Sequence, residues 1–519
     1  MPLKTNTKSL LKAMASGMPF FAKILHRLQT QQGRNALFSG GGALLNPVLQ
    51  LVIMPLSYRV LGAELFGLWM LLNSIIAASG LATLGMGEAV TRYVAQYSAA
   101  KSPQDVLRIS RCVIALFLMV AAFGAFIAVI FSKAIVHSLF AVATEYQDDA
   151  SLALQVAGVG LLVKFIYAFL EAALRGFERY DIESSIGAMV AVVTTLGAYG
   201  VLSLGFGLSA VVGWGIFVMA LGVVSMAVKL NKFMPDAIWW RPRFDYTTFK
   251  EVARFGVFTW WQTLNGLVLY QLDRVVIAIA GGVASVGYYS LCMQLIQTIH
   301  SVLAKSAGFV FPLAVKLHGE RNRRGLWDLF CRGSYTMGWI SWLVYAPLIA
   351  YAGPILYFWM GPDFASDATL ILQALGVWGV FMSTSIIPFY LMNATGAERM
   401  NAYFGSASAG LFVAVGLLAV PHYAALGAAV ARLSTVAVSL VSRTILFNFM
   451  KLKRPGVLSG LTIAAQLAGV VSSLLVVKSL AQILNPVVFT LVALVAGSAV
   501  FGTILIFTKK TTIQAHFTT

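Results

Sequence analysis

Apolar stretches long enough to cross a bilayer, which takes about 20 helical residues, recur along the whole chain. They fall at 37–58, 65–86, 110–132, 152–174, 184–204, 208–229, 255–280, 286–312, 333–357, 369–392, 402–420, 424–447, 457–478 and 486–508. The polar segments between them alternate in charge. Those at 87–109, 230–254, 313–332 and 448–456 gather Lys and Arg, among them Arg241, Arg243, Arg321, Arg323, Arg324, Lys451, Lys453 and Arg454. Those at 133–151 and 358–368 carry Glu145, Asp148, Asp149, Asp363 and Asp367 instead. Basic loops stay on the cytoplasmic side, so the alternation predicts cytoplasmic termini at both ends. The pattern predicts an all-α polytopic membrane protein with about fourteen transmembrane helices.

A second pattern lies over the first. Gly62 and Gly67 recur 220 residues later as Gly282 and Gly287, Gly176-Phe177-Glu178-Arg179 as Gly396-Ala397-Glu398-Arg399, and Gly207 as Gly427. Composition alone supplies scattered identities; glycines and a Gly-x-Glu-Arg cluster in one register do not follow from it. The first six segments map onto the next six, and an even number preserves orientation, so two pseudo-symmetric six-helix lobes are expected about an axis along the membrane normal. The expected division is a basic N-terminal segment (1–34), a first lobe (35–235), a cytoplasmic linker (236–254), a second lobe (255–455), and two added helices with a short tail (456–519).

Composition sharpens the class. Fifty-nine per cent of the 519 residues are hydrophobic and 11% are charged, with a mean hydropathy of +0.82. A soluble core cannot use that much apolar surface. The net charge of +18 sits in the short loops, where it sets topology, so nucleic acid is not an expected partner. No cleavable signal peptide is expected. Residues 1–34 carry Lys4, Lys8, Lys12, Lys23, Arg27 and Arg34 and no acid, which fits either an amphipathic stretch on an anionic lipid surface or a plain basic tail. Cys112, Cys292 and Cys331 show no metal spacing. The chain holds no Walker-type loop, zinc-ligand spacing or nucleophile elbow. No cofactor, metal or catalytic residue is expected.

Charges inside a span cost about 2.5–3.5 kcal/mol at its centre, so each calls for a role. Segment 152–174 places Lys164, Tyr167, Glu171 and, just past its end, Arg175 on one face, and segment 286–312 does the same with Gln294, Gln297, Ser301 and Lys305. Segment 37–58 offers Asn46, Gln50 and Ser57; segment 255–280 offers Gln262, Asn265, Gln271, Asp273 and Arg274; segment 424–447 offers Arg432. A water-filled cavity between the halves accounts for polar stripes from both. Its candidate substrate-binding residues are Lys164, Arg274, Lys305, Arg432, Asn46, Gln50, Gln294 and Gln297. Candidates for coupling or gating are Asp273, Glu171, Arg175, Glu88 and Arg92. Bland alternatives stand beside these: Glu88–Arg92 and Glu171–Arg175 as structural pairs at i,i+4 spacing, and Lys305 snorkelling to the interface. Neighbouring helical residues point about 100° apart, so at least one of Asp273 and Arg274 needs a partner elsewhere.

The stretch Arg59-Val-Leu-Gly62-Ala-Glu64-Leu-Phe-Gly67-Leu-Trp69, then Gly85-Met-Gly87-Glu88-Ala-Val-Thr-Arg92-Tyr93, resembles the opening of bacterial polysaccharide-biosynthesis membrane proteins. These are the oligosaccharide flippases of the multidrug/oligosaccharidyl-lipid/polysaccharide exporter superfamily. Leu272-Asp273-Arg274 with Gly282 and Gly287-Tyr288-Tyr289 resembles their helix seven to eight junction. The resemblance runs from about residue 35 to 510. It implies a V-shaped bundle of two six-helix lobes in the inner membrane, moving undecaprenyl-pyrophosphate-linked oligosaccharide by alternating access. Membrane lipids, and a polysaccharide polymerase with its chain-length machinery, are the implied partners. Three other readings stay open: a flippase for lipid-linked peptidoglycan precursor, a drug/cation antiporter, and a membrane glycan polymerase or ligase.

Overall fold

In the computed structural model, the described residues are 31–78, 86–139, 143–234 and 238–449. They form helices in the order α1 (Gln31–Ala78), α2 (Met86–Ala99), α3 (Pro103–Ala134), α4 (Gln147–Gly176), α5 (Tyr180–Ser203), α6 (Leu208–Leu230), α7 (Tyr246–Tyr270), α8 (Leu272–Ser306), α9 (Val310–Gly319), α10 (Arg323–Ala350), α11 (Ala352–Met360), α12 (Pro362–Thr384), α13 (Ile386–Ala394) and α14 (Glu398–Phe449). A π-helical turn (Ile135–Leu139) extends α3, and a short 3-10 turn (Thr144–Tyr146) leads into α4. The basic segment 1–30 and the expected spans 457–478 and 486–508 lie outside the described residues.

Eight described helices are long and apolar enough to cross a membrane, or nine if α10 and α11, bent by 71°, form one span. Twelve of the expected segments overlap these, one of them the bent pair. A helix rises about 1.5 Å per residue, so the 48 residues of α1 and the 52 of α14 exceed the roughly 30 Å of a hydrocarbon core. Each is divided by one residue that leaves helical geometry. In α1 it is Gly62 (φ 73, ψ 178), in α8 Gly282 (φ 74, ψ 168), and in α14 Ala424 (φ 45, ψ −120). Expected segment 37–58 and segment 65–86 as far as Ala78 therefore lie in two arms of α1, and 402–420 and 424–447 in two arms of α14.

The repeat is written in the backbone at some positions and lost at others. Gly62 and Gly282 share one left-handed conformation, and so do Lys101 (φ 54) and Arg321 (φ 53). The last pair closes equivalent helix ends: Ser102 N–H donates to Tyr97 O, and Asn322 N–H to Leu317 O. Farther on the register slips. In the Gly-x-Glu-Arg clusters the left-handed residue is Glu178 (φ 58) in one and Gly396 (φ 79) in the other, two residues out of step. Gly207 caps the start of α6, whereas Gly427 lies inside α14. The sequence match at these later sites is not a match of conformation.

Three loops expected between spans contain structure. Segment 87–109 holds α2 and the start of α3. Met86, Ala89, Val90 and Val94 are buried on one side of α2, a narrow amphipathic stripe too polar to register as a span. Segment 313–332 holds most of α9 and the start of α10. The linker 236–254 is no free connector: from Ile238 it packs onto the first half. Trp239 stacks on Phe169 (5.9 Å), Arg111 Nε donates to Ile238 O (2.9 Å), and Arg243 N–H to Arg111 O (3.2 Å). At the start of α7, Val252 is fully buried; Arg108 faces Glu251 at 3.5 Å, and Tyr97 Oη donates to Glu251 Oε1 at 2.8 Å.

Two large clusters of buried side chains follow, beside a small one at Ala198, Leu202 and Val211. One gathers α2, α3, α4, the end of α6 and the start of α7 around Phe117, Phe165 and Phe169. The other gathers α1, α8, α10, α11, α12 and parts of α14 around Phe66, Tyr289, Tyr345 and Phe364. The second arm of α1 thus packs on α8, which comes from the other half of the chain.

Candidate functional site

At the break between α7 and α8, Gln271 (φ −132, ψ −35) ends one helix and caps the next. Such an end leaves carbonyls without intrahelical partners, and within a membrane they must be satisfied by protein. Arg432, from the second arm of α14, does this. Its Nη2 donates to Leu269 O in the last turn of α7. The same Nη2 meets Asp273 Oδ2 at 2.6 Å, with both side chains only 1% exposed. Tyr289 Oη accepts from Arg432 Nε (2.6 Å) and donates to Asp273 Oδ2 (2.7 Å). The guanidinium is walled by the rings of Trp378 (5.0 Å), Phe412 (5.2 Å) and Tyr270 (5.3 Å), where aromatic faces stabilise a desolvated cation.

This corrects two expectations. Arg432 does not line a cavity, and Asp273 is not an open acid. They form a buried ion pair inside the second half, because charge, hydroxyl and three ring faces satisfy the guanidinium from every side. Removing one member of such a pair strands the other.

Arg274 points elsewhere. Its backbone N–H donates to Asp273 Oδ1 (2.9 Å), while Nη1 donates to Gln271 Oε1 (3.0 Å) and to Ser74 Oγ (2.8 Å) on the second arm of α1. Nε is buried and has no hydrogen-bond partner among the described residues. Lys164, from α4, donates its ammonium to Ile76 O on that same arm. Ser74 and Ile76 belong to one helical turn near the arm's described end at Ala78. Two cations from opposite halves of the chain thereby each contact one turn of α1, Lys164 at Ile76 O and Arg274 at Ser74 Oγ.

The other candidates are more dispersed. Glu171 lies 3.8 Å from Arg175, which also reaches Glu183 at 3.9 Å. Gln50, Gln294 and Gln297 are half-buried, and Lys305 is exposed in the last turn of α8. Asn46 lies in α1, with its side chain outside the described residues. Glu88 and Arg92 are exposed on α2 rather than at the end of segment 65–86, and Arg92 stands over the Tyr93 ring at 5.9 Å. Ser74, Tyr289 and Trp378 were missing from the expected site. Tyr289 lies in Gly287-Tyr288-Tyr289, but nothing in its spacing from Asp273 announces the contact.

The comparisons agree with this fold. The family described as "Polysaccharide biosynthesis protein" matches residues 32–318. A Shigella flexneri protein named "Putative O-antigen transporter" is 25% identical over 388 residues, covering 72% of this chain and 87% of its own length. The Bacillus subtilis (strain 168) "Uncharacterized membrane protein EpsK" is 24% identical over 372 residues, 69% of this chain and 71% of its own. Among solved structures, lipid II flippase MurJ in an inward closed conformation superposes with a TM-score of 0.68 at 15% identity, over 92% of this chain and 99% of its own. An inward-facing multidrug resistance MATE family transporter of the MOP superfamily gives 0.64 at 14% identity, over 78% and 96%. Those structures share the fold with this chain. The family match takes in more than half of the sequence, including the α1 arms, Lys164, Asp273, Arg274 and Tyr289, and the chain is a multi-pass membrane protein that belongs to the polysaccharide biosynthesis protein family.

Proposed function

We propose that the protein is a flippase that carries undecaprenyl-pyrophosphate-linked oligosaccharide from the cytoplasmic to the outer leaflet of the bacterial inner membrane. The observation that carries this reading is that Lys164 and Arg274, one from each half of the chain, both bind the turn of α1 that holds Ser74 and Ile76. A pyrophosphate linked to sugars is too polar to cross hydrocarbon unaided. Two cations supplied by different halves would grip its oxygens through charge-assisted hydrogen bonds. The half-buried amides of Gln50, Gln294 and Gln297 suit sugar hydroxyls, and the lipid tail stays in the bilayer.

Movement is by rocking of two six-helix lobes, supported by the shared backbone at Gly62 and Gly282 and at Lys101 and Arg321. Both termini are cytoplasmic in this reading. Transport draws on an ion gradient or the membrane potential. Asp273 is committed to Arg432, which leaves Glu171 as the acid free to change partners. The name carried by the Shigella flexneri relative points the same way.

The test is the membrane face on which lipid-linked oligosaccharide accumulates when the protein is depleted. Accumulation on the cytoplasmic face, hidden from an exterior glycan-modifying enzyme, is the expected result. Accumulation on the exterior face would assign the protein to a later step, such as polymerisation or ligation.

A further inference from the structure

Arg274 is the only residue of the break whose guanidinium reaches the first half among the described contacts, and its direction is fixed from behind. Asp273 Oδ1 accepts the Arg274 backbone N–H, so the carboxylate holds the first turn of α8 at that residue. The other oxygen, Oδ2, is held by Arg432 and Tyr289. Arg432 also holds Leu269 O, on the far side of Gln271. One guanidinium thus ties the end of α7 to the start of α8.

We propose that Arg432, Asp273 and Tyr289 are positioning residues: a staple that sets the angle of the α7–α8 break and so aims Arg274 at Ser74 and the substrate's anionic group. This rests on the reading of Arg274 as an anion-binding residue. Arginine serves here where lysine cannot. Bridging Leu269 O, Asp273 and Tyr289 together takes the planar fork of a guanidinium; an ammonium is a point donor of different reach. The aromatic walls of Trp378, Phe412 and Tyr270 exclude other partners, so the staple has one arrangement. The chemistry of the grip belongs to Arg274, and its direction to the staple.

The experiment uses the full chain in lipid nanodiscs and has two readouts. The first is the spin-label distance between Lys250→Cys on α7 and Ile279→Cys on α8, both exposed positions. The second is binding of undecaprenyl pyrophosphate. Arg432→Lys keeps the charge, and Tyr289→Phe keeps the ion pair, so at least one folded variant remains measurable.

In Arg432→Lys the distance distribution should broaden, and binding should weaken by roughly tenfold, the scale of one lost charge-assisted bond. Tyr289→Phe should do the same to a smaller extent. Arg432→Lys combined with Arg274→Ala should bind no more weakly than Arg274→Ala alone, because the staple acts through Arg274. An unchanged distance distribution in both variants overturns the staple. A broadened distribution with additive losses in the double variant overturns its action through Arg274. A broadened distribution with normal binding by Arg274→Ala supports the staple and overturns the anion-binding reading instead.

Discussion

Gly67 and Gly287, 220 residues apart in the sequence, lie backbone against backbone. A Cβ built on Gly67 would fall 1.8 Å from Val283 O and 3.2 Å from Gly287 N, and one on Gly287 would fall 3.3 Å from the Cα and N of Gly67. The contact of backbone with backbone leaves no side chain that could yield. Gly67→Ala should therefore force α1 and α8 apart and lower the melting temperature in detergent, by an amount matching about 1–3 kcal/mol of overpacking. Gly213→Ala, where a Cβ meets nothing within 4 Å, should leave it unchanged or raise it. Equal behaviour of the two variants would remove the close contact from the account.

Arg432 and Asp273 make opposite predictions singly and together. Arg432→Met leaves a buried carboxylate without its cation and should cost about 3–5 kcal/mol. Adding Asp273→Asn removes the stranded charge, so the double variant should recover a good part of that loss. Monodisperse yield and thermal melting of the four proteins in the cycle measure the recovery. A double variant less stable than Arg432→Met would show that the pair is not the unit it looks like.

Lys164 and Arg274 should separate transport from folding. Each contacts α1 through an edge of a helical turn rather than filling a core, so Lys164→Ala and Arg274→Ala should express at near-normal levels while polymer export falls at least tenfold, as expected from losing about 1.5–3 kcal/mol of charged hydrogen bonding. Lys164→Arg should retain part of the export. Normal export by both alanine variants at normal expression would end the cationic-site reading.

Asp245 gives an acid-sensitive feature outside the membrane spans. It caps α7, accepting from Thr247 Oγ1 (2.6 Å) and Thr248 N–H (2.9 Å) as well as from Thr248 Oγ1. The hydrogen bonds from Thr247 and then Thr248 hold its carboxyl well below the usual range. A depressed carboxyl favours the folded state above its unfolded pKa, about 3.9, and loses that contribution as pH falls toward the folded value. Native protein should lose stability below about pH 4 more steeply than Asp245→Ala, which is less stable at neutral pH but lacks this step. Identical slopes in acid unfolding curves would remove the cap from the account.

Much of this was legible in the order of residues. Long apolar runs mark the spans because lipid accepts little else. The need for separate partners at Asp273 and Arg274 followed from helical geometry, and they have them: Arg432 for one, Ser74 and Gln271 for the other. The amphipathic α2 and α9 escaped because a stripe of apolar residues over 14 or 10 positions does not fill a span-length window. Arg432 was misplaced for a different reason. A single cation in an apolar run looks the same whether it faces water or a ring of aromatic side chains, and Trp378 comes from α12 and Phe412 from the other arm of α14, across the break at Ala424. The register slip after Arg321 was hidden because Gly-x-Glu-Arg repeats in letters while the left-handed residue moves from Glu178 to Gly396.

The two anchorages of α7 have a mechanical meaning. Glu251 pins one end to α2 and α3 through Tyr97 and Arg108; Leu269 pins the other to α14 through Arg432. Between the pins runs unbroken helix, a strut about 27 Å long at the usual rise of about 1.5 Å per residue. A strut neither stretches nor shortens at low energy. With the pins intact, the two ends of the molecule can swing about its endpoints but cannot simply draw apart, so one bar selects a hinge-like path from all the relative motions that a bundle of sliding helices would otherwise allow.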